Sequence, residues 1–159
     1  MIKLVPFNEC YKEVYNLYKD IPKEEVGSTN HFYNLSRGDY LTNCKEYLKD
    51  IDTKRYILFD NDNPVGELGI RTTINDYWIN KGSQIYYKIR LSQRNKGYGN
   101  LILKFGLMEA RKLGFKKIRI NCNDNNIASK KVIQNNGGIL DIASYPTKEG
   151  TSSSYVIIL

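Results

Sequence analysis

The segment that most constrains this chain is IRLSQRNKGYG, residues 89–99, which leaves an apolar strand pattern and opens a helix. Gly97 and Gly99 stand in it where a side chain would block the approach of an anion. Successive backbone N–H groups in such a turn, with the positive end of the following helix, form an anion cradle. No Gly-Lys-Ser/Thr follows, and the third glycine of GxGxxG is replaced by Ile102. These departures disfavour nucleoside triphosphate and dinucleotide folds.

Hydrophobic periodicity predicts the elements on either side of this turn. It predicts helices over residues 9–20, 40–50, 100–113 and 126–135, and strands over 55–59, 65–71, 84–89, 117–122, 139–144 and 154–159. Residues 60–64 form the turn of a hairpin between the first two strands. This order predicts an α/β fold, with a mixed, mostly antiparallel sheet and helices on both faces. The 159 residues contain no linker or repeat, so we expect a single domain spanning 1–159.

Positive charge is concentrated in one part of the chain. Residues 88–131 contain twelve Lys and Arg against two acidic residues, a net +10, whereas the remainder carries twelve basic and fifteen acidic residues, a net −3. Such a segment fits a cofactor with several phosphates, a nucleic acid backbone or a solvated basic face. An RNA-binding module would use a spread of Lys and Arg, whereas the two glycines and the separate Asn126 favour an enzyme.

Two motifs in this region resemble those of a known family. Residues 94–99, RNKGYG, are similar to the (Gln/Arg)-x-x-Gly-x-(Gly/Ala) signature of the GNAT superfamily of acyl-CoA-dependent N-acyltransferases. Residues 126–129, NIAS, with NNGG at 135–138, resemble that family's second cofactor-binding segment. The stretch 65–99 looks most like bacterial acetyltransferases. The resemblance implies a GNAT-like fold, acetyl-CoA as co-substrate, and transfer of an acetyl group to a primary amine of a small molecule or peptide.

The resemblance also implies which residues contact coenzyme A. The pantetheine arm is expected beside the strand that precedes the turn, paired with the backbone of Ile89 and Leu91. Asn126 would contact the same arm, and Ser129 would lie near the thioester sulfur. Many members carry a tyrosine that protonates the leaving thiolate, but its position is Ile133 here, so a non-catalytic acyl-CoA-binding domain is an alternative. The pyrophosphate is expected on the turn formed by Arg94, Asn95, Lys96, Gly97, Tyr98 and Gly99.

The reaction needs a neutral amine, donors for an oxyanion and a proton for the thiolate. Alkyl amines are mostly protonated at pH 7, so a general base is expected. Glu67, beside glycine in a predicted strand, is the candidate, and an exposed strand carboxylate is the alternative interpretation. Backbone N–H groups at the end of the 84–89 strand are the expected oxyanion donors. With Ile133 in place of tyrosine, the thiolate proton is expected from solvent, Ser129 or Tyr145.

The remaining reactive residues favour no other class of enzyme. His31 is the only histidine and no GxSxG motif accompanies it, so neither a zinc site nor a Ser-His-Asp triad is expected. The three cysteines are too scattered for a disulfide framework, and we expect reduced thiols in a cytoplasmic protein. Aromatic pairs at 77–78 and 86–87 are candidates for an acceptor pocket or for the core. No apolar run is long enough to span a membrane, and neither a membrane nor a specific nucleic acid is an expected partner.

Overall fold

The computed structural model describes residues 1–25, 32, 35–73 and 82–159. The helices and strands in these ranges are, in chain order, β1 Ile2–Pro6, α1 Phe7–Cys10, α2 Tyr15–Lys19, α3 Arg37–Tyr47, β2 Thr53–Asp60, β3 Asn63–Arg71, β4 Ile85–Ile89, α4 Tyr98–Lys112, β5 Lys117–Asn123, α5 Ile127–Asn135, β6 Ile139–Thr147 and β7 Gly150–Ile158. Short 3₁₀ turns occupy Lys23–Glu25 and Leu91–Gln93. His31 and the aromatic pair at 77–78 lie outside the described residues.

The strands form two antiparallel sheets, ordered β1-β2-β3-β4 and β5-β7-β6. The predicted α/β fold, largely antiparallel with helices on both faces, is confirmed; the strands divide into two sheets where the sequence predicted one. The sheets meet where the Gln84 N–H donates to the Arg119 carbonyl at 2.8 Å and the Arg119 N–H donates to Gln84 Oε1 at 2.7 Å. Beyond Gln84, β4 and β5 share no ladder pair in the described chain. We call the space between them the β4–β5 gap.

Two hydrophobic clusters cover the two faces of the four-stranded sheet. Leu58 and Leu68 pack with Ile102 of α4 on one face, which we call the α4 face. Ile57 and Phe59 pack against α1, α2 and α3 on the other, the α1–α3 face. Neighbouring residues of β2 thus enter different clusters, as the two-residue period of a strand requires. Side chains that alternate along β3 and β4 are divided between the same two faces.

The helix predicted over 9–20 is two short helices preceded by a strand. β1 pairs with β2 from Ile2 opposite Asp60 to Pro6 opposite Tyr56. Between α1 and α2 the backbone turns tightly, and the Glu13 N–H donates to the carbonyl three residues before it. The helical spacing of the buried side chains survives this break, because one face of both helices packs on the sheet: Phe7, Cys10, Val14, Leu17 and Tyr18.

The other predicted elements are confirmed with boundaries shifted by a few residues. The hairpin at 60–64 joins β2 and β3, and the last two strands pair as β6 and β7. α3 begins three residues earlier than predicted, because Ser36 caps it by accepting a hydrogen bond from the Asp39 N–H at 3.1 Å. Of the helices in the described ranges, none has the length and apolar character needed to cross a membrane. All three cysteines are free and buried: Cys10, Cys44 and Cys122.

Candidate active site

The turn at 94–99 presents unused backbone donors at the start of α4. Gly97 precedes the helix with a φ of +85°, a left-handed conformation that residues with a Cβ rarely adopt. A Cβ at Gly97 would meet nothing within 4 Å, so the space in front of the helix is open. Within the described chain, no acceptor bonds to the backbone N–H groups of residues 95–99. These donors lie at the positive end of a fifteen-residue helix, the arrangement that binds phosphate.

Side chains of this turn are bound by the protein itself. The partners are Glu25 and the Ile89 carbonyl for Arg94, Asp60 for Tyr98, and Gln93 for Lys96. The Arg94 guanidinium is neutralised by Glu25, with Nη1 3.0 Å from Oε1. The partner of Lys96 is an uncharged amide, because Nζ donates to Gln93 Oε1 at 3.0 Å. A phosphate on the turn would therefore be held by backbone N–H groups, with Lys96 as a nearby cation.

The predicted second cofactor segment is the start of α5, which packs against α4. Gly99 sets the distance between the two helices, since a Cβ there would lie 3.0 Å from Val132 Cγ2. Asn126 caps α5, and its Oδ1 accepts a hydrogen bond from the Ser129 N–H at 3.0 Å. The start of α4 lies against the C-terminal half of α5, where Asn136 Nδ2 donates to the Asn100 carbonyl at 3.5 Å, and Asn126 and Ser129 lie at the opposite end of α5, beside β4.

One edge of β4 faces the gap with unused backbone groups. The Arg90 N–H donates to the Val65 carbonyl at 3.0 Å, which fixes which residues of β4 bond to β3. Because backbone groups alternate between the two sides of a strand, those of Tyr87 and Ile89 point away from β3 and into the gap. No acceptor in the described ranges bonds to either N–H. The N–H groups of Tyr87 and Ile89 are therefore open to a ligand, whereas the Ile89 carbonyl already accepts from Arg94 Nε at 3.1 Å.

Asp20, the residue that ends α2, holds the chain after β4 away from the gap. Its carboxylate accepts from Arg90 Nε at 2.9 Å, from the Ser92 N–H at 3.2 Å and from the Ser92 hydroxyl. Burial tends to raise the pKa of Asp20, but the bonds from Ser92 and Arg90 outweigh it, and the pKa is lowered. The Asp20 carbonyl accepts the Leu91 N–H at 2.8 Å. Of the two predicted pantetheine partners, Ile89 thus has its N–H open to a ligand, whereas the N–H of Leu91 is already bonded.

Glu67 is buried on the α1–α3 face with 4% exposure, so the interpretation as an exposed carboxylate is wrong. The Tyr18 hydroxyl donates to Glu67 Oε2 at 2.8 Å, and no described residue donates to Oε1. Burial raises the pKa of Glu67, while the Tyr18 bond and the charges of Lys88 and Arg55 oppose the rise. Lys88 stands opposite on β4, and burial lowers the pKa of its ammonium. A carboxyl with a raised pKa and an unpaired oxygen has the properties of a general base.

Ser129 contacts Tyr87, which the sequence analysis considered for an acceptor pocket or for the core and not as a partner of Ser129. Its Oγ lies 3.0 Å from the Tyr87 hydroxyl, across from β4 on the α4 face. Burial raises the pKa of Tyr87 to about 12, and the bond to Ser129 opposes the rise. Tyr86, its neighbour, contacts Arg55 on the opposite face. Tyr145 lies on β6, which β7 separates from β5, so it is remote from the gap.

The positive charge of the basic segment is partly neutralised by ion pairs among the residues that the structure describes. Five of its twelve cations are paired: Arg90 with Asp20, Arg94 with Glu25, Lys112 with Glu109, Arg119 with Asp141, and Lys130 with Asp124. Three of these carboxylates come from outside residues 88–131, so the folded surface is less basic than the segment. No group of three or more His, Cys, Asp or Glu side chains that could hold a metal occurs in the part of the chain that the structure describes.

Solved structures of similar fold include three acetyltransferases. The spermidine N-acetyltransferase from Vibrio cholerae, in complex with CoA and spermine, matches with a TM-score of 0.71 and 14% identity over 99% of this chain and 95% of that one. The aminoglycoside acetyltransferase AAC(6')-Ib in complex with coenzyme A has a TM-score of 0.68 and 15% identity over 99% and 95%. An acetyltransferase of the GNAT family from Streptococcus pneumoniae has a TM-score of 0.63 and 14% identity over 100% and 98%. At such identities the likeness establishes a shared fold.

Sequence comparison finds a match to a family model and none to an individual curated protein. No curated protein sequence matches this chain. A sequence model of the Acetyltransferase (GNAT) family matches residues 11–137, a range that contains the 94–99 turn, Glu67 and Ser129. That match spans most of the chain, and the protein therefore belongs to the Acetyltransferase (GNAT) family.

Proposed function

We propose that this acetyl-CoA-dependent N-acetyltransferase acetylates a primary amine of a small molecule or peptide, and that residues 1–159 act as one domain. The observation that carries the proposal is two sets of backbone N–H groups that no described residue accepts from, one in the turn at 95–99 and the other at Tyr87 and Ile89. Two solved structures of similar fold are acetyltransferases of spermidine and of aminoglycosides, which are amines. The three free, buried cysteines support the cytoplasmic location that we also propose.

The proposed site has donors for the pyrophosphate, the pantetheine arm and the thioester carbonyl of acetyl-CoA. Anionic pyrophosphate fits the N–H groups of the turn and the charge of Lys96. The peptide-like amides of the pantetheine arm fit the N–H of Ile89 on the exposed edge of β4, and Asn126, whose Oδ1 caps α5, has its Nδ2 group as a further donor to the same arm. The N–H of Tyr87 is left to stabilise the oxyanion that forms when the thioester carbonyl is attacked. Acetyl-CoA supplies the activated acetyl group.

Glu67 and Ser129 act from opposite faces of β4 in this proposal. A thioester in the β4–β5 gap is open to the amine from the α1–α3 face and to the Ser129 hydroxyl from the α4 face. Because β4 lies between Glu67 and the gap, the carboxylate accepts the amine proton through water. The ammonium of Lys88, beside Glu67, disfavours a second cation and so favours the neutral amine.

The cofactor part of the proposal is tested by Gly97→Glu, which places a carboxylate where the phosphate would lie. Gly114→Glu is the matched control, because Gly114 has a φ of +91° and the same open surroundings at the far end of α4. Both variants carry the same backbone strain and added charge. We expect the Gly97 variant to lose CoA affinity about 100-fold or more, and the Gly114 variant to keep it, in titration calorimetry.

Thermal unfolding gives a second measurement of the same interaction. CoA at 100 times its dissociation constant stabilises a binding protein by about 2.7 kcal/mol, and the Gly114 variant should show this shift while the Gly97 variant does not. Equal CoA affinity in the two folded variants would contradict the site. Acetyl transfer is then tested by thiol release from acetyl-CoA with a panel of primary amines, and its absence with every amine would contradict the acceptor class.

A further inference from the structure

Tyr87 contributes to the β4–β5 gap in two ways. Its backbone N–H points into the gap, and its side chain extends from the α4 face to Ser129, 42 residues later in the chain, with the two hydroxyls 3.0 Å apart. Tyr87 is half-buried and packs against the main cluster, so the position of its ring is fixed. No other part of the sequence predicts this contact, and the chain has Ile133 where related enzymes carry a tyrosine.

The Ser129 hydroxyl is held from two directions. Its own N–H is bonded to the cap residue Asn126, which fixes the backbone of the first turn of α5. Its Oγ has the Tyr87 hydroxyl as a neighbour, and either group can be the donor. The raised pKa of Tyr87, about 12, keeps the phenol protonated at neutral pH. When the phenol donates to Ser129 Oγ, the serine hydrogen is free to point elsewhere.

We propose that Tyr87 is a positioning residue for the leaving thiolate: its hydroxyl donates to Ser129 Oγ and turns the Ser129 hydrogen toward the sulfur in the gap. This inference rests on the proposed function, which places the sulfur near Ser129. The pair performs the task that a tyrosine at position 133 would otherwise perform. Ser129 is then the catalytic residue, because it alone of the pair contacts the reacting sulfur.

The proton balance of the step is as follows. The amine nitrogen forms a bond to the thioester carbonyl carbon, and the C–S bond breaks with its electron pair passing to sulfur. The attacking nitrogen then carries one surplus proton and the sulfur lacks one. Ser129 donates its proton to sulfur and takes one from Tyr87, Tyr87 regains one from solvent, and the surplus proton of the nitrogen passes through water to Glu67, which releases it to solvent. The products are the amide and the thiol of CoA, with no oxidant or metal required.

Binding of CoA with and without its sulfur tests the inference independently of turnover. A thiol with a pKa near 8.5 is mostly ionised at about pH 9.5, and a hydrogen bond to the thiolate then adds to the affinity. We expect Tyr87→Phe to weaken CoA binding on the order of tenfold at that pH and much less at about pH 6.5. Desulfo-CoA, which lacks the sulfur, should bind Tyr87→Phe and the unchanged protein equally at both pH values.

Kinetics supply the second readout. Tyr87→Phe should lower kcat on the order of tenfold without raising KM for acetyl-CoA, since the phenol assists only as the C–S bond breaks. The double variant with Ser129→Ala should be no slower than Ser129→Ala alone, because the phenol acts through the serine. Tyr56→Phe is the matched control, a half-buried tyrosine of β2 that packs against the same cluster, and it should keep the full rate.

Each outcome decides one of the two proposals. An active enzyme whose Tyr87→Phe variant keeps its kcat, or loses CoA and desulfo-CoA affinity alike, overturns the role of Tyr87 and leaves the proposed function standing. Additive losses in the double variant overturn it as well. An unchanged protein that binds no CoA contradicts the proposed function, and the role of Tyr87 with it.

Discussion

Glu67 shows how a single residue acquires a chemistry that its sequence neighbours do not predict. A glutamate in a strand is ordinarily exposed, but the helices of the α1–α3 face cover this one, and Tyr18 supplies its hydrogen bond. The pKa of the carboxyl is raised because burial penalises the charged form more than Tyr18, Lys88 and Arg55 stabilise it. A carboxylate of this kind is a stronger base than an exposed one.

Replacement of Glu67 by Gln tests the base. The isosteric amide keeps an acceptor for Tyr18 but cannot take a proton. We expect kcat/KM for the amine to fall on the order of 100-fold, with a smaller defect at high pH, where the amine supplies its own neutral fraction. Steady-state rates across pH measure this, and CoA affinity serves as the control that should not change. A Gln variant with unchanged rates at every pH would show that the Glu67 carboxyl takes no part in proton transfer.

Tyr18→Phe shifts the pH at which Glu67 works. The phenol bonds to the carboxylate and lowers its pKa, so its removal raises that pKa further. Because the base must be ionised, the acidic limb of the kcat/KM profile should move to higher pH, while the rate on the plateau changes little. A shift of the acidic limb to lower pH, or no shift in a folded variant, would show that Tyr18 does not lower the pKa of Glu67.

At the level of elements, the sequence predicted the helices, strands and turns that are determined by residues close together in the chain. The hairpin of β2 and β3, the helix after Gly97 and the cap at Asn126 each follow from residues close in the chain, and each is present. β1 was missed because the helical spacing that begins at Phe7 dominated the N-terminal pattern, although IKLVP has the composition of a strand. The division into two sheets was missed because only long-range pairing decides it. The Tyr87–Ser129 and Tyr18–Glu67 contacts likewise join distant segments, which a single sequence cannot reveal.

The Asp20 contacts join two elements, and Asp20→Asn tests how much they stabilise. A lowered pKa means that the contribution is present above the ordinary carboxyl pKa of 3.8 and is lost as pH falls through the folded value. We expect the variant to lose about 1 kcal/mol of unfolding free energy at neutral pH and less at about pH 3, by denaturant titration. Glu109→Gln, which breaks a surface pair with Lys112 on α4, is the control and should cost less than about 0.5 kcal/mol. If both variants lost the same unfolding free energy, the Asp20 contacts would stabilise the fold no more than an ordinary surface ion pair does.

At the scale of the whole molecule, the formal charge of +7 overstates the attraction for polyanions. Carboxylates from outside the basic segment pair with its arginines, and two of those arginines, Arg90 and Arg94, hold the chain between β4 and α4. The charge that remains is suited to one multiply phosphorylated ligand at a defined turn. The sequence also lacks the RNP, KH and helix-turn-helix signatures of nucleic-acid-binding modules.

RNA binding should therefore be weak and insensitive to sequence. Non-specific binding through phosphates alone has dissociation constants of about 10⁻⁴–10⁻⁶ M at physiological salt, and we expect no tighter value for defined single-stranded or duplex RNA. Fluorescence anisotropy at two salt concentrations measures both the affinity and its salt dependence. Submicromolar, sequence-dependent binding at physiological salt would instead indicate a nucleic-acid function for the basic segment.

The junction of the two sheets at Gln84 has a consequence for exchange with solvent. Amides in the middle of a folded sheet are normally protected, because their hydrogen bonds must break before they exchange. The amides of Tyr87 and Ile89 lie inside the fold but have no strand to protect them, so they should exchange as fast as those of a loop while their neighbours toward β3 stay protected. A ligand whose carbonyl oxygens accept from these two N–H groups would protect both amides, and deuterium uptake at the two residues would then report occupancy of the gap.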